Sequence, residues 1–292
     1  MGNGRGGLKR LGGGVSKDSS GGTTQSSGSY DTPKEYSDDE LMSLAYHAFS
    51  DKAIGSHDFD EKEGKRTEKW FADNSNFGEL MKDLDPVHYD AFEFWARGSF
   101  MRGQLYDGFD SLSLRERDYA TALDEVLDAS RIRPAFTVTR LTDWKFFSEG
   151  KNIALTPQEI NSRVGELIPI KSYMATSAAA DGLTIGDSTK PVMLKIHIPP
   201  NSIGAGMWIG NYSINGWGNK QREFLTNRDS VYKLGKTART EKISIPTGRR
   251  GSFVTKDVTV VDVYFVGHTE DDYGKYGPST LRGTKWKKRR AK

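Results

Sequence analysis

The sequence predicts an α+β fold in which helices gather at the N-terminal side of a mixed, mostly antiparallel sheet assembly. Apolar residues recur at helical spacing through residues 36–133, whereas short β-type runs dominate residues 134–270. The seven runs are not separated by regular helices, which argues against a parallel doubly wound sheet. Gly, Asn and Pro lie between the runs, as expected for turns. We therefore expect a single domain over residues 36–270.

Three capping motifs mark helix starts. Ser37-Asp-Asp-Glu40 and Ser113-Leu-Arg-Glu116 are capping boxes, and Thr156-Pro-Gln-Glu159 adds a proline at the first helical position. Apolar residues continue at helical spacing after the first box as far as Phe49, so we expect the first helix to extend that far. The aromatic-rich segment 89–105 is interpreted as core rather than as a stacking platform.

The β-type runs are short and rich in branched and aromatic residues. They fall at residues 135–140, 168–174, 192–198, 207–209, 223–225, 231–234 and 258–266.

The two ends of the chain differ from this domain. Residues 1–30 hold ten Gly and six Ser, so we expect residues 1–35 to form a disordered arm. Residues 273–292 hold eight basic and no acidic residues, and we assign residues 271–292 to a basic tail. Such a tail is either simply solvated or attracted to a polyanion such as nucleic acid or the ribosome.

Several classes of function are excluded by composition and motifs. The absence of Cys excludes a disulfide scaffold, a cysteine-ligated zinc site and a thiol nucleophile. The five His lie in separate elements without metal-ligand spacing, so no metal is expected. No apolar run approaches the roughly 20 residues of a membrane helix, and no secretory signal is visible. We expect no contact with a membrane.

Three segments place polar groups on or beside apolar strands. Phe136-Thr-Val-Thr-Arg140 ends in a guanidinium, and Tyr173-Met-Ala-Thr-Ser177 ends in two hydroxyls. The third segment, which contains Gln221-Arg-Glu223, places its amide and its carboxylate on one face of a strand, because strand side chains alternate. Taken one at a time, the arginine is typical of a surface ion pair and the two hydroxyl residues of a strand end. The amide and the carboxylate are typical of a solvated strand. Together they suit a ligand with anionic oxygens and sugar hydroxyls.

The order of these motifs resembles the Arg–Ser–Glu class of mono-ADP-ribosyltransferases. That class includes clostridial exoenzymes, enzymes of insecticidal binary toxins and transferases encoded by bacteriophages. The resemblance covers about residues 80–267 and includes a helix at 119–132, a strand ending in Pro at 192–200 and a target loop at 206–223. It implies a two-sheet ADP-ribosyltransferase core with N-terminal helices. It also implies NAD as substrate, no metal, and transfer of ADP-ribose to a macromolecular acceptor.

The resemblance also assigns roles to individual residues. Arg140 would hold the NAD phosphates, and the backbone of Leu141 would hold the nicotinamide amide. Glu223 would accept a hydrogen bond from the nicotinamide-ribose hydroxyl and stabilise the oxocarbenium-like charge.

The second motif lies beside the same ligand. Tyr173, Thr176 and Ser177 are its expected cofactor-binding residues, with Thr176 and Ser177 also orienting the glutamate. The segment 178–190 would form a loop over NAD.

Two departures from the family pattern bear on activity. Ala175 stands where the family usually has the Ser that supports the catalytic glutamate. Gln221 stands where arginine-modifying relatives have a Glu, so an acceptor other than arginine is favoured. Tyr212 and Trp217 on the preceding loop either recognise the target or hold the loop in place.

Three functions remain open at this stage. The first is a transferase acting as a toxin or phage effector in the cytoplasm of a bacterial host or target cell, and such a protein is also compatible with carriage in a phage particle. The second is an NAD glycohydrolase with water as acceptor. The third is a catalytically degenerate family member with a binding or structural role, which is motivated by Ala175.

Overall fold

The computed structural model describes residues 36–49, 61–96, 101–147, 152–178, 189–209, 222–246 and 253–269. The arm at 1–35 and the basic tail at 271–292 lie outside the described residues.

Seven α-helices lie in the described part of the chain, and six of them precede the main sheet. They are α1 (Asp38–Ser43), α2 (Glu61–Asn74), α3 (Phe77–Leu80), α4 (Pro86–Ala96), α5 (Met101–Gln104), α6 (Leu114–Asp128) and α7 (Pro157–Asn161). The predicted capping boxes are present at the starts of α1, α6 and α7.

Eleven β-strands are described. They are β1 (Arg131–Ile132), β2 (Phe136–Thr142), β3 (Leu167–Ile170), β4 (Met174–Ser177), β5 (Val192–Ile198), β6 (Ser202–Ile203), β7 (Gly206–Trp208), β8 (Glu223–Thr226), β9 (Ser230–Leu234), β10 (Arg239–Pro246) and β11 (Phe253–His268). Nine of them form one sheet with the order β3-β9-β11-β5-β2-β4-β8-β7, and β10 pairs with β11. Strands β1 and β6 form a separate two-stranded sheet.

The main sheet is mixed, as predicted. Strands β5 and β11 pair in parallel, and the other ladders of this sheet are antiparallel. The helices α1 to α6 precede β2, so the α+β class with N-terminal helices is confirmed.

The main sheet consists of two halves with a narrow junction. Strands β2 and β5 pair over seven residues, and β4 and β8 pair over four. Between β2 and β4, in contrast, the described residues contain the single pair Thr139–Ser177. The two halves therefore diverge on either side of this pair.

Aromatic side chains attach the helices to the sheet. Phe71 of α2 stacks on Trp208 of β7 at 5.4 Å and on Phe224 of β8 at 5.5 Å, and it meets Phe136 of β2 edge-on at 5.5 Å. All four rings are buried. This cluster bridges both halves of the sheet, and burial of such large rings is a main source of its stability.

A glycine permits the close approach of β7 to β8. Gly206 has a φ of 146°, and a Cβ atom there would lie 2.3 Å from the carbonyl oxygen of Leu225. A larger residue would therefore push apart the strands that carry Trp208 and Phe224.

The structure corrects three sequence predictions. Helix α1 ends at Ser43, because the chain then extends and His47 forms a β-bridge with Phe136. The predicted strand 168–174 is two strands, β3 and β4, which lie in different halves of the sheet. Strand β10 was missed, because its sequence Arg-Thr-Glu-Lys-Ile-Ser-Ile-Pro begins with four polar residues and contains only two Ile as branched apolar residues.

None of the helices in the described residues is long and apolar enough to cross a membrane.

Candidate active site

Strand register brings the three sequence motifs to one place. Ser177 of β4 pairs with Thr139 of β2 on one side and with Glu223 of β8 on the other. The next bond in this ladder runs from the backbone N–H of Ala178 to the carbonyl of Arg222 at 2.8 Å. Residues far apart in the chain therefore form one row across three adjacent strands. Directly paired side chains share a sheet face, so Ser177 and Glu223 are neighbours.

Arg140 lies where the two halves of the sheet separate. It follows Thr139 on β2, and its guanidinium donates a hydrogen bond to the carbonyl oxygen of Ala175 on β4. The side chain is half-buried. The carbonyl oxygen is a neutral acceptor, so this bond does not neutralise the positive charge of the guanidinium.

Leu141, the next residue, points its side chain into a second apolar cluster. It is buried there with Met193 of β5 and with Ile245, Val258 and Val260 of β10 and β11. Only the backbone of Leu141 is left to contact a ligand.

The hydroxyl of Thr176 links strands β4 and β8. It donates to the carbonyl oxygen of Phe224 at 2.6 Å, and the hydroxyl of Thr226 donates to the carbonyl of Met174 at 3.4 Å. Both side chains thus reinforce the ladder that carries Ser177 and Glu223. We infer that Thr176 acts through this ladder.

Glu223 is 7% exposed and accepts a hydrogen bond from the indole Nε1 of Trp95 at 3.2 Å. Trp95 belongs to α4, so the helical layer contributes to the site. Trp95 was not predicted as a site residue, because it lies in the aromatic-rich segment that was interpreted as core. It is indeed buried, but its polar edge faces the glutamate.

Tyr173 connects β4 to helix α6. Its side chain is fully buried, and its hydroxyl lies 2.7 Å from Oδ1 of Asp124 and 2.9 Å from the carbonyl oxygen of Ala120. The hydroxyl is therefore occupied by helix α6. Tyr173 thus connects the start of β4 to α6, and its predicted contact with the cofactor stays a prediction.

A buried ion pair anchors Asp124 in turn. Arg228, which follows β8, donates from Nε to Oδ1 at 2.9 Å and from Nη2 to Oδ2 at 2.7 Å. Its Nη1 donates to Asp229 at 2.6 Å. Burial disfavours the guanidinium charge, but attraction to Asp124 outweighs this effect and raises the pKa of Arg228. The pair joins α6 to the turn after the strand that carries Glu223.

The residue before Glu223 has an unusual backbone. Arg222 has a φ of 47°, a left-handed conformation that non-glycine residues seldom adopt. It is also buried. Such local strain persists only where the surrounding structure fixes it. Here the bond from Ala178 to the carbonyl of Arg222 holds the chain as it enters β8.

The remaining predicted site residues cannot be placed. Gln221, Tyr212 and Trp217 lie outside the described residues, as does 179–188, most of the predicted NAD loop. Among the described residues, no group of three or more His, Cys, Asp or Glu is arranged to hold a metal ion.

Comparison with known proteins identifies the fold but no near relative in sequence. No protein-family model matches the chain. No curated protein matches it either.

Solved structures, in contrast, match this architecture. Plx2a, an ADP-ribosyltransferase toxin from Paenibacillus larvae, aligns with a TM-score of 0.54 at 17% identity over 70% of this chain and 97% of its own. A mutant of the enzymatic component C2-I of the Clostridium botulinum C2 toxin aligns at 0.50 and 19% identity over 70% of this chain. The ADP-ribosylating toxin BECa of C. perfringens, solved with NADH, aligns at 0.51 and 14% over 69%.

The matched length differs between these proteins. This chain spans nearly all of Plx2a but about half of the other two, 47% of C2-I and 48% of BECa. The chain therefore has the fold of the bacterial ADP-ribosyltransferase toxins.

Proposed function

We propose that the protein is an NAD-dependent mono-ADP-ribosyltransferase that transfers ADP-ribose to a macromolecular acceptor. One observation carries the proposal: Ser177 and Glu223 are paired across β4 and β8, with Arg140 beside them at the junction of the half-sheets. The fold supports the same activity, since its structural neighbours include ADP-ribosylating toxins, one of them solved with NADH.

In the proposed reaction, Arg140 binds the pyrophosphate of NAD. The guanidinium leaves the carbonyl of Ala175 for the phosphate oxygens, because a bidentate contact between opposite charges is stronger than one bond to a neutral carbonyl. The backbone of Leu141 binds the nicotinamide amide. Thr176 and Ser177 hold the strand pair that presents the glutamate.

Glu223 promotes cleavage of the bond between nicotinamide and ribose. The bond between the nicotinamide nitrogen and C1′ of the ribose cleaves, and its electron pair leaves with neutral nicotinamide. The ribose then carries an oxocarbenium-like positive charge. The carboxylate of Glu223 accepts a hydrogen bond from the ribose hydroxyl and stabilises that charge. The acceptor attacks C1′ and loses a proton. NAD is consumed as substrate, and no residue role in this scheme requires a metal.

The sequence around the glutamate favours an acceptor other than arginine. Gln221 is an amide, which donates and accepts hydrogen bonds but is a poor base for activating a guanidinium. As the acceptor, an amide side chain of a protein or a nucleobase matches the hydrogen-bonding capacity of Gln221 better than a guanidinium does. Tyr212 and Trp217 are the proposed target-recognition residues. The basic tail is a proposed contact to a polyanionic target.

We propose that the enzyme acts as a toxin or phage effector in a bacterial cytoplasm. The toxin role is supported by the structural neighbours Plx2a, C2-I and BECa, which are components of bacterial toxins.

Nicotinamide release from NAD tests the activity directly. We expect release by the wild type, and about 10²–10³-fold slower release by Glu223→Gln, the loss typical for removing one preorganised electrostatic group. Arg140→Ala should chiefly raise KM for NAD. Glu241→Gln is the matched control, since it removes a strand glutamate that pairs with Arg239 away from the site. Equal rates in Glu223→Gln and the wild type would refute the mechanism.

A second experiment separates transfer from hydrolysis. Labelled NAD is incubated with the protein and a bacterial lysate, and the products are digested with protease or nuclease. Label that resists nuclease and yields to protease identifies a protein acceptor, and the reverse identifies nucleic acid. Nicotinamide release without macromolecular label would favour the NAD glycohydrolase, and no release at all would favour a degenerate member.

A further inference from the structure

The glutamate of the proposed site receives a hydrogen bond from a distant part of the chain. Trp95 and Glu223 are 128 residues apart in sequence, yet the indole Nε1 lies 3.2 Å from Oε1 of the carboxylate. Trp95 is 4% exposed and Glu223 is 7% exposed. Water therefore competes little for either group, and a bond to a buried carboxylate is stronger than one at the surface.

The strand beside Glu223 lacks a donor at one position. Ala175 lies two residues before Ser177 on β4 and so shares its sheet face, diagonal to the glutamate. Its methyl group donates no hydrogen bond. The indole N–H of Trp95, in contrast, approaches this carboxylate from α4.

Trp95 is itself held in a fixed orientation. Its ring meets Tyr173 edge-on, with centroids 5.5 Å apart and planes inclined at 75°. Tyr173 is fixed by its bond to Asp124, and Asp124 by Arg228. The indole N–H is therefore preorganised by a chain of contacts that runs through α6 and the turn after β8.

We propose that Trp95 is a positioning residue for Glu223. The indole N–H fixes one carboxylate oxygen and directs the other toward the ribose hydroxyl of NAD. The donor is neutral, so it orients the glutamate without cancelling the charge that the transition state needs. This inference rests on the proposed transferase activity.

Two tryptophan variants test the proposal. Trp95→Phe keeps an aromatic ring but removes the donor. Trp208→Phe is the matched control: Trp208 is also 4% exposed, and its Nε1 has no hydrogen-bond partner among the described residues. We expect Trp95→Phe to lower kcat for nicotinamide release by about tenfold or more, the equivalent of one bond to a charged group, with KM for NAD nearly unchanged. Trp208→Phe should keep the wild-type kcat.

Restoring a donor on β4 separates positioning from packing. In Trp95→Phe/Ala175→Ser, the new hydroxyl lies diagonal to Glu223, and we expect kcat to recover by severalfold, whereas a packing defect would not be repaired there. The acidic limb of the pH profile of kcat should also move to higher pH in Trp95→Phe, because the lost bond favours the ionised carboxylate.

A spectroscopic measurement keeps this inference distinct from the proposed function. The chain has six Trp, and Trp95→Phe identifies the indole ¹⁵N–H resonance of Trp95. Glu223→Gln should shift that resonance and leave the resonance of Trp208 nearly unchanged. An active wild type with unaltered kcat in Trp95→Phe, or an unshifted resonance, overturns the positioning role alone. A wild type that releases no nicotinamide overturns the proposed function, and the positioning role with it.

Discussion

Asp124 and Glu223 are two buried carboxylates that the fold holds in different ways. Asp124 is 5% exposed and receives a bidentate contact from the guanidinium of Arg228, whereas Glu223 is 7% exposed and accepts a bond from the neutral indole of Trp95. A cationic donor cancels the charge of the carboxylate it binds, and a neutral donor does not. The two carboxylates are buried to a similar extent, so burial does not distinguish them, whereas their bonds to Arg228 and Trp95 differ in the charge of the donor.

The largest expected effect on stability comes from breaking the buried ion pair between Arg228 and Asp124. Arg228→Met leaves Asp124 and Asp229 buried without their cation, which should lower the free energy of unfolding by about 3–5 kcal/mol. Urea denaturation followed by circular dichroism measures this loss. A loss below about 1 kcal/mol, the value typical of an exposed pair, would show that Asp124 is not held mainly by this guanidinium.

We expect Glu223→Gln to reduce activity without reducing stability. It replaces a buried charge by a neutral group of the same shape, so the free energy of unfolding should stay the same or rise while nicotinamide release falls. The same denaturation experiment measures stability, and Glu241→Gln again serves as control. If Glu223→Gln lost as much stability as Arg228→Met, the contrast between the two carboxylates would be wrong.

A third buried carboxylate extends the comparison to pH. Burial of Asp262 would raise its pKa, but hydrogen bonds with His197 and Thr237 and the charge of Arg239 outweigh burial and hold the pKa at about 2, below the ordinary 3.8. The folded pKa is depressed, so this stabilisation is present above pH 4 and is lost as the pH falls toward 2.

The lowering of the Asp262 pKa from 3.8 to about 2 corresponds to a contribution of about 2 kcal/mol to the free energy of unfolding. Unfolding free energies measured between pH 5 and pH 2 should therefore fall less steeply in Asp262→Asn than in the wild type. Parallel curves for the two proteins would contradict the assignment.

The smallest expected effect concerns the helix that carries Asp124. The Ser113 hydroxyl accepts a bond from the backbone N–H of Glu116 at 3.4 Å and caps α6. Ser113→Ala should lower the free energy of unfolding by about 1 kcal/mol, the usual cost of losing an N-cap. Ser113→Gly should cost less, because glycine is tolerated at this position. The reverse ranking would show that the cap is not what holds the start of α6.

Local patterns predicted much of this molecule. Helix caps depend on residues three apart, and strand alternation depends on residues two apart, so α6, α7 and most strands were found from the sequence. The three motifs were identified together by their order along the chain. The register of β4 and β8 then brings two of these motifs together, because Ser177 and Glu223 form a direct pair.

Such local patterns do not predict contacts between residues that are far apart in the sequence. Trp95 and Glu223 are 128 residues apart, and Arg228 and Asp124 are 104 apart. Neither pair has a local signature, since a tryptophan in an aromatic segment and an arginine in a turn are ordinary residues. The left-handed backbone of Arg222 was equally unpredictable, because that conformation usually belongs to glycine or asparagine.

The narrow junction between the half-sheets has a mechanical consequence. Each half is stiffened by its own extended ladders, whereas the halves share the pair Thr139–Ser177 between β2 and β4. A small rotation of one half against the other is therefore pivoted at this pair. Such a rotation changes the gap between Arg140 and Glu223 more than any spacing inside either half. The proposed chemistry thus lies at the pivot of the sheet, where a rotation displaces atoms least, so Arg140 and Glu223 keep their spacing better than groups farther from the pair.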